Sequence, residues 1–285
     1  MNDIVLVHGI AQQYKGAQSL LSDWYPALCD GLSATRTRLD ADRVAVAFYG
    51  DLFRPSGHRG IGAIDLEASD VADGLESELL AAWWQAAAQQ ESRVTAPDAA
   101  TRLRTPYAAQ RALLALSHST FFTGLSEHLL IYSARQVRRY LTEENLRRQI
   151  QNRLSESVTK STKVIVAHSL GSVVAYETLH VNPQWSDLTL VTLGSPLGVP
   201  NLIFDRLLPP SVAGVAPWPP ALGDWINIAD RGDIVALVKQ LAPRFGERIN
   251  DIPVDNGSKA HDIRPYLTAR ETGEAIAQGL AKIST

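Results

Sequence analysis

The chain is poor in the features that would mark it for a special environment. It has one cysteine, Cys29, so no internal disulfide can form. That residue lies at helical spacing with Leu28 and Leu32, where a buried structural thiol is expected. No excess of one charge is present: the net charge is -3, too small to favour nucleic acid or an acidic lipid surface as partner. No apolar run approaches the roughly 20 residues needed to span a bilayer, so no transmembrane segment is expected. The first apolar strand begins at Ile4, which leaves no room for a leader peptide and makes the cytoplasm the expected compartment. No internal repeat and no low-complexity linker divides the 285 residues, so a single domain, 1–285, is expected. The other histidines, His58, His118, His128 and His180, lack metal-ligand spacing, and neither a metal nor an organic cofactor is implied.

What is there is alternation. Apolar runs at Ile4–Val7, Val44–Tyr49, Val164–Ala167, Leu188–Leu193 and Trp225–Ala229 read as buried strands. Between them lie helical patterns: Ser19–Leu32, with Leu20, Leu21, Trp24, Leu28 and Leu32 on one side, and a helix capped by Thr142 that runs to about Val158. Arg264–Ile283 reads as a closing helix. This order predicts an α/β fold with a mostly parallel sheet flanked by helices. The interval 51–141 breaks the pattern. A glycine-rich stretch, Ser56–Gly62, is followed by helical spacing over about Leu66–Gln90. Thr105-Pro106 is a helix start, a capping threonine with proline at the first helical position, and a further helix is expected over about Ser126–Leu141. The interval is therefore expected to be a helical insertion before the strand at Val164. Within it, Trp83-Trp84 is expected in a core. Arg135, Arg138 and Arg139, with Arg147 and Arg148 beyond them, are expected on a solvated helix face. The insertion, a candidate cap or lid, and the proline-rich loop Pro209–Pro220 with Trp218 are expected to wall a pocket for the acyl group.

The chemistry concentrates in KVIVAHSLGSVVAY, residues 163–176. The apolar run breaks sharply at His168-Ser169-Leu170-Gly171 and resumes with helical character. A serine on a tight strand-to-helix turn has an exposed hydroxyl and a helix N-terminus beneath it. In G-x-S-x-G terms Gly171 supplies the second glycine and Ala167 replaces the first. A crowded backbone needs small side chains there, and alanine meets that need. A nucleophilic serine requires a base, an orienting acid and donors for the oxyanion. Val7-His8-Gly9-Ile10 ends the first strand and offers backbone N–H groups at the sheet edge. The N–H of Ile10 and that of Leu170, the residue after the serine, are the candidate oxyanion donors. Asp230 and Asp233 follow the strand Trp225–Ala229. Asp233 is the favoured acid because Ile234-Val235 anchors its turn, whereas Asp230 reads as a loop cap. His261, in the polar loop 257–262, is the only histidine after those acids and is the candidate base. His168, next to the serine, alternates to the other face of the sheet and reads as packing or as a support behind the site residues. Asp51 and His58 flank the glycine-rich turn and are weaker candidates.

With these residues placed, the chain resembles the α/β hydrolase superfamily and, within it, the lipase-like serine esterases, over about 1–50 and 142–285. Val7-His8-Gly9-Ile10 and Ala167–Gly171 resemble the oxyanion and elbow segments of small bacterial lipases, some of which also carry alanine at the first glycine. Leu193–Gly198 is similar to the turn after the next strand in lipases, Asp233-Ile234-Val235 to the segment bearing the acid, and His261 with Tyr266 to the histidine loop. The resemblance implies an esterase or lipase-like hydrolase of a small-molecule or lipid-like ester or thioester, with Ser169, Asp233 and His261 as triad. Phospholipase, peptidase or acyltransferase chemistry on the same triad, and a non-catalytic binding module on the same fold, are the alternatives. The insertion has no counterpart in the resemblance.

Overall fold

The computed structural model describes residues 2–54, 66–97, 106–119 and 126–282. The glycine-rich stretch with His58, Thr105 and Ile283 lie outside the described residues. Six strands form one sheet: β1 (Ile4–Val7), β2 (Val44–Ala47), β3 (Val164–His168), β4 (Leu188–Leu193), β5 (Leu222–Asp230) and β6 (Ile249–Val254). Their order is β2-β1-β3-β4-β5-β6, and all five pairings are parallel. The chain leaves β1 toward β2 on one side and returns to β3 on the other. The carboxyl ends of β1 and β3 therefore flank the point where the strand order reverses, the place where open parallel sheets bind ligands.

Three helices cover one face: α1 (Ala17–Ser33), and, at the end of the chain, α8 (Ile263–Thr268) and α9 (Arg270–Leu280). Leu20, Trp24, Leu28 and Leu32 of α1 pack with Tyr266, Leu267 and Ile276 on Leu6, Val166, Leu193 and Ile228 of the sheet. Each strand contributes alternate residues to that cluster, as the pleat requires. On β1 and β3 also packs α6 (Leu170–Val181). Residues 170–179 of α6 are buried on all sides, so this helix is held by the core rather than by an amphipathic stripe.

Described residues divide into two compact units, Met1–Leu52 with Arg148–Thr285, and Phe53–Arg147. The second unit contains α2 (Leu75–Gln90), α3 (Pro106–Ser117) and α4 (Glu127–Thr142). Trp83 and Trp84 are buried, and the Trp84 indole donates to the Thr95 carbonyl at 2.7 Å. Of the five arginines only Arg148 is exposed; the others do not form a solvated face. Arg138 Nε lies 2.6 Å and Arg135 Nε 3.6 Å from Glu76 Oε1, a carboxylate with no solvent exposure. Arg139 pairs with Glu143, and Arg147 is buried with its guanidinium over the Tyr140 ring.

Several boundaries differ from the sequence reading; the helix expected from about Leu66 begins only at Leu75, after a separate turn at Ala68–Asp70 and Gly74 at φ 86. Thr142 ends α4, bonding back to the Arg138 carbonyl, and α5 (Glu144–Ser157) begins beyond it. β2 stops at Ala47 because Tyr49 turns inward to His8. The closing helix is two helices, broken at Ala269 with ψ 135. β6 was not expected: Asn250, Asp251 and Pro253 interrupt its apolar pattern, but it is the edge strand, where proline is tolerated. A four-residue helix, α7 (Ala242–Phe245), precedes it. No helix among the described residues is long and apolar enough to cross a membrane.

Candidate active site

Ser169 leaves β3 at φ 54 and ψ -130, a conformation that an L-residue rarely adopts, and is the residue before α6. Its N–H still follows the ladder, donating to the Leu193 carbonyl at 3.0 Å. Such a backbone costs of order 1–3 kcal/mol and persists only where its surroundings hold it. Two donors do so here: the Ser172 N–H and hydroxyl meet the Ser169 carbonyl at 2.9 and 2.6 Å. The Ser172 hydroxyl also lies 2.7 Å from that of Ser195, which accepts from the Leu197 N–H. Gly171 is required by close approach. A Cβ there would stand 2.5 Å from the His8 carbonyl oxygen and 2.6 Å from that of Val7. Ala167, inside β3, is buried and keeps its methyl.

Three chain segments converge on the Ser169 hydroxyl. His261 Nε2 is 2.9 Å from Ser169 Oγ, and His261 Nδ1 is 2.7 Å from Asp233 Oδ2. The carboxylate is pinned from its other oxygen, where Oδ1 accepts the N–H groups of Val235 and Ala236 at 2.9 and 3.2 Å. Lys239 Nζ donates to the Asp233 main-chain carbonyl. Burial would push the Asp233 carboxyl up; the His261 imidazole, its hydrogen bond, the Lys239 ammonium and the Val235 N–H outweigh burial and hold it below the ordinary carboxylate range. Burial lowers Lys239 in turn, against the pull of Asp233 and Asp230.

Of the two aspartates, then, Asp233 meets the imidazole. Asp230 accepts from the Gly232 N–H at 2.6 Å and from that of Asn256, a turn-capping arrangement. Burial raises its carboxyl, with those two N–H groups opposing.

The end of β1 lies against Ser169. A Cβ on Gly9 would be 2.7 Å from Ser169 Cβ. The preceding His8 is buried and its ring stacks on Tyr49 at 3.9 Å between centroids. The Tyr49 N–H reaches His8 Nε2 at 3.1 Å and the Tyr49 hydroxyl donates to the His8 carbonyl. Nε2 is thus an acceptor, and Nδ1 carries the proton toward the Gly9 carbonyl at 2.6 Å. Burial lowers His8 to about 4, with the Gly9 hydrogen bond opposing, so the ring is neutral at pH 7. Ile10 follows in the same turn, partly buried, and Leu170 is the first residue of α6. The two candidate donors sit on the two segments that meet at Ser169.

His168 is tied to the base. Its Nε2 lies 2.8 Å from the His261 main-chain carbonyl, and the two rings are 4.6 Å apart. Burial, then the charge of His261, lowers it to about 3. Asp51 pairs with Arg153 at 3.2 Å and has no bond to the triad residues. Trp218 packs at the amino end of β5, with its indole on the Leu222 carbonyl and 6.0 Å from Trp225. The expectation that it walls a pocket is therefore corrected, because the Ser169 hydroxyl lies at the carboxyl edge. No cluster of His, Cys, Asp and Glu fit for a metal ion occurs among the described residues.

Two residues at this site carry no individual signal in the sequence. Gly194, at φ +55, leaves room for the acid: a Cβ would be 2.6 Å from Asp233 Oδ2 and 3.1 Å from His261 Nδ1. Tyr266, noted only for following the histidine, donates its hydroxyl to Asp233 Oδ2 at 3.0 Å. Its helix α8 reads as ordinary core.

Fold and site together define an α/β protein with a six-stranded parallel sheet and a partly buried Ser-His-Asp hydrogen-bond chain at the sheet's carboxyl edge. No family model and no curated protein matches the chain.

Proposed function

We propose that the protein is a serine hydrolase of the α/β-hydrolase type that cleaves a carboxylic ester or thioester through an acyl-enzyme on Ser169. The observation that carries this reading is the unbroken chain from Ser169 Oγ to His261 Nε2 at 2.9 Å and from His261 Nδ1 to Asp233 Oδ2 at 2.7 Å. In this reading Ser169 Oγ attacks the carbonyl carbon while His261 Nε2 takes the hydroxyl proton. Asp233 holds the ring in the tautomer that leaves Nε2 free to accept, and stabilises the imidazolium. The N–H groups of Ile10 and Leu170 face the developing oxyanion, each donor contributing about 10²–10³ in rate. The proton on Nε2 passes to the leaving alcohol or thiol as the C–O or C–S bond breaks. Water, deprotonated by the same nitrogen, then attacks the acyl-enzyme and releases the acid and Ser169. Phe53–Arg147 is, in this reading, an insertion between β2 and β3 of the hydrolase core.

The test is labelling by a fluorophosphonate. Wild-type protein should take up one equivalent on Ser169, and Ser169→Ala none while keeping its thermal midpoint. Folded wild type that stays unlabelled overturns the mechanism and leaves a binding module on this fold. Among labelled outcomes, a panel of ester, thioester, amide and phospholipid substrates separates esterase from peptidase and phospholipase; an added acyl acceptor reveals transfer.

A further inference from the structure

We infer that Tyr266 is a positioning residue that sets how tightly Asp233 holds the Nδ1 proton of His261. The phenol is aimed from behind. Its oxygen accepts the Asp230 main-chain N–H at 2.7 Å, which directs its own proton to Asp233 Oδ2 at 3.0 Å. His261 Nδ1 arrives at the same oxygen at 2.7 Å. Two donors therefore share one carboxylate oxygen, while Oδ1 is occupied by two main-chain N–H groups. The ring has no solvent exposure and belongs to the core packed on α1, so the hydroxyl cannot swing away. A phenylalanine would fill that core equally well. The hydroxyl needs partners once buried, and here one of them is the acid itself.

Sharing spreads the charge of Oδ2 over two bonds. The pull on the Nδ1 proton is weaker than that of a carboxylate oxygen bound by the histidine alone. Asp230, which loses to Asp233 as partner of the imidazole, acts through its main chain by orienting Tyr266. The other groups around the histidine are Lys239 on the Asp233 carbonyl, the carboxylate of Asp230, the neutral ring of His168, and Asp262, which is paired with Arg264. Tyr266→Phe removes none of these side chains and takes from them only the acceptor of the Asp230 main-chain N–H.

The inference rests on the acyl-transfer reading of Ser169, and two readouts keep the two separable. In Tyr266→Phe the proton NMR resonance of His261 Nδ1 should move downfield. The pH at half-maximal fluorophosphonate labelling should rise by about half a unit, roughly a threefold slower reaction on the acid side, with the alkaline plateau nearly kept. A merely structural role lowers the plateau and moves neither the resonance nor the midpoint; that result overturns the inference. Where the variant does not fold, wild type grown with 3-fluorotyrosine serves, since its more acidic phenol is a stronger donor. Both readouts should then move the opposite way, and unchanged values overturn the inference. If the wild type takes no label, the hydrolase reading fails while the resonance still decides the role of Tyr266.

Discussion

Asp233→Asn changes one atom and should silence Ser169. Donors face both carboxylate oxygens, but those at Oδ2 can adapt, since the imidazole can change tautomer and the Tyr266 hydroxyl can turn its proton away and accept, whereas main-chain N–H groups cannot. Two main-chain N–H groups, from Val235 and Ala236, face Oδ1, so the amide oxygen must stay there. The NH₂ group is forced into the Oδ2 position, 2.7 Å from His261 Nδ1. An amide donates where the carboxylate accepted. Nδ1 must then become an acceptor, and the proton moves to Nε2, where it points at Ser169 Oγ. The ring in that tautomer cannot take the serine proton, and the imidazolium loses its counter-charge. A fixed wrong tautomer costs about 10⁴ in rate, near 5 kcal/mol at about 1.36 kcal/mol per tenfold. The assay is the second-order rate of fluorophosphonate labelling at pH 8, with ester hydrolysis beside it and thermal unfolding as control. Asp230→Asn is the reference. It removes one acceptor from a turn, at about 1–3 kcal/mol of stability, and leaves the imidazole its partner, so labelling should stay within about tenfold. An Asp233→Asn protein that labels within tenfold of wild type, with the Asp230 variant crippled, would refute the reasoning and transfer the acid's role.

Two further outcomes test the frame around the site. Gly171→Ala should cost about 3 kcal/mol or more in urea unfolding, since its methyl meets carbonyl oxygens at 2.5 and 2.6 Å and overpacking of that kind costs at least 1–3 kcal/mol; Ala167→Gly, which only adds backbone freedom, should cost about 1 kcal/mol. Equal effects would mean that the elbow is not crowded where the structure places it. The buried histidines predict acid lability with a definite sign. His8 and His168 are lowered to about 4 and about 3 against an ordinary value near 6.5. The unfolded chain therefore binds protons that the native state refuses. Their stabilisation is complete above about pH 6.5 and is lost as pH falls from there toward those values. At pH 5 the two rings should give a slope of about 2.5 kcal/mol per pH unit, and His168→Gln should remove about half of it. An unchanged slope would show that His168 is not held neutral.

The strands that carry the site were legible because each is buried on both faces and reads as a short β-branched run, as Val164-Ile165-Val166 does. The convergence of Ser169, His261 and Asp233 was legible because a nucleophilic serine would need such partners and the chain offers few. What the sequence hid is of two kinds. β6 was hidden because an edge strand carries Asn250, Asp251 and Pro253, residues that argue against a strand anywhere else. Asp251 in fact bonds the buried Asn227 side chain and the N–H groups of Leu241 and Ala242, a long-range tie with no local signature. Tyr266 and Gly194 were hidden because a core aromatic and a turn glycine look the same whether or not an acid lies against them. The arginines were misread for a similar reason. Glu76, the partner of Arg135 and Arg138, lies 62 residues from Arg138 in the chain.

The elbow also says something about how such proteins can be found. At position 171 the excluded volume is set by two main-chain oxygens, which no substitution elsewhere can trim. At position 167 the register partners are Val7 and Thr192 on the adjoining strands, and a methyl group is accommodated there, buried. A pattern that weights both glycines of the motif alike treats a negotiable vacancy as if it were a fixed one. Chains built like this one can depart at the first position while the second stays locked, so a search ranked by steric freedom would reach further than one ranked by letters.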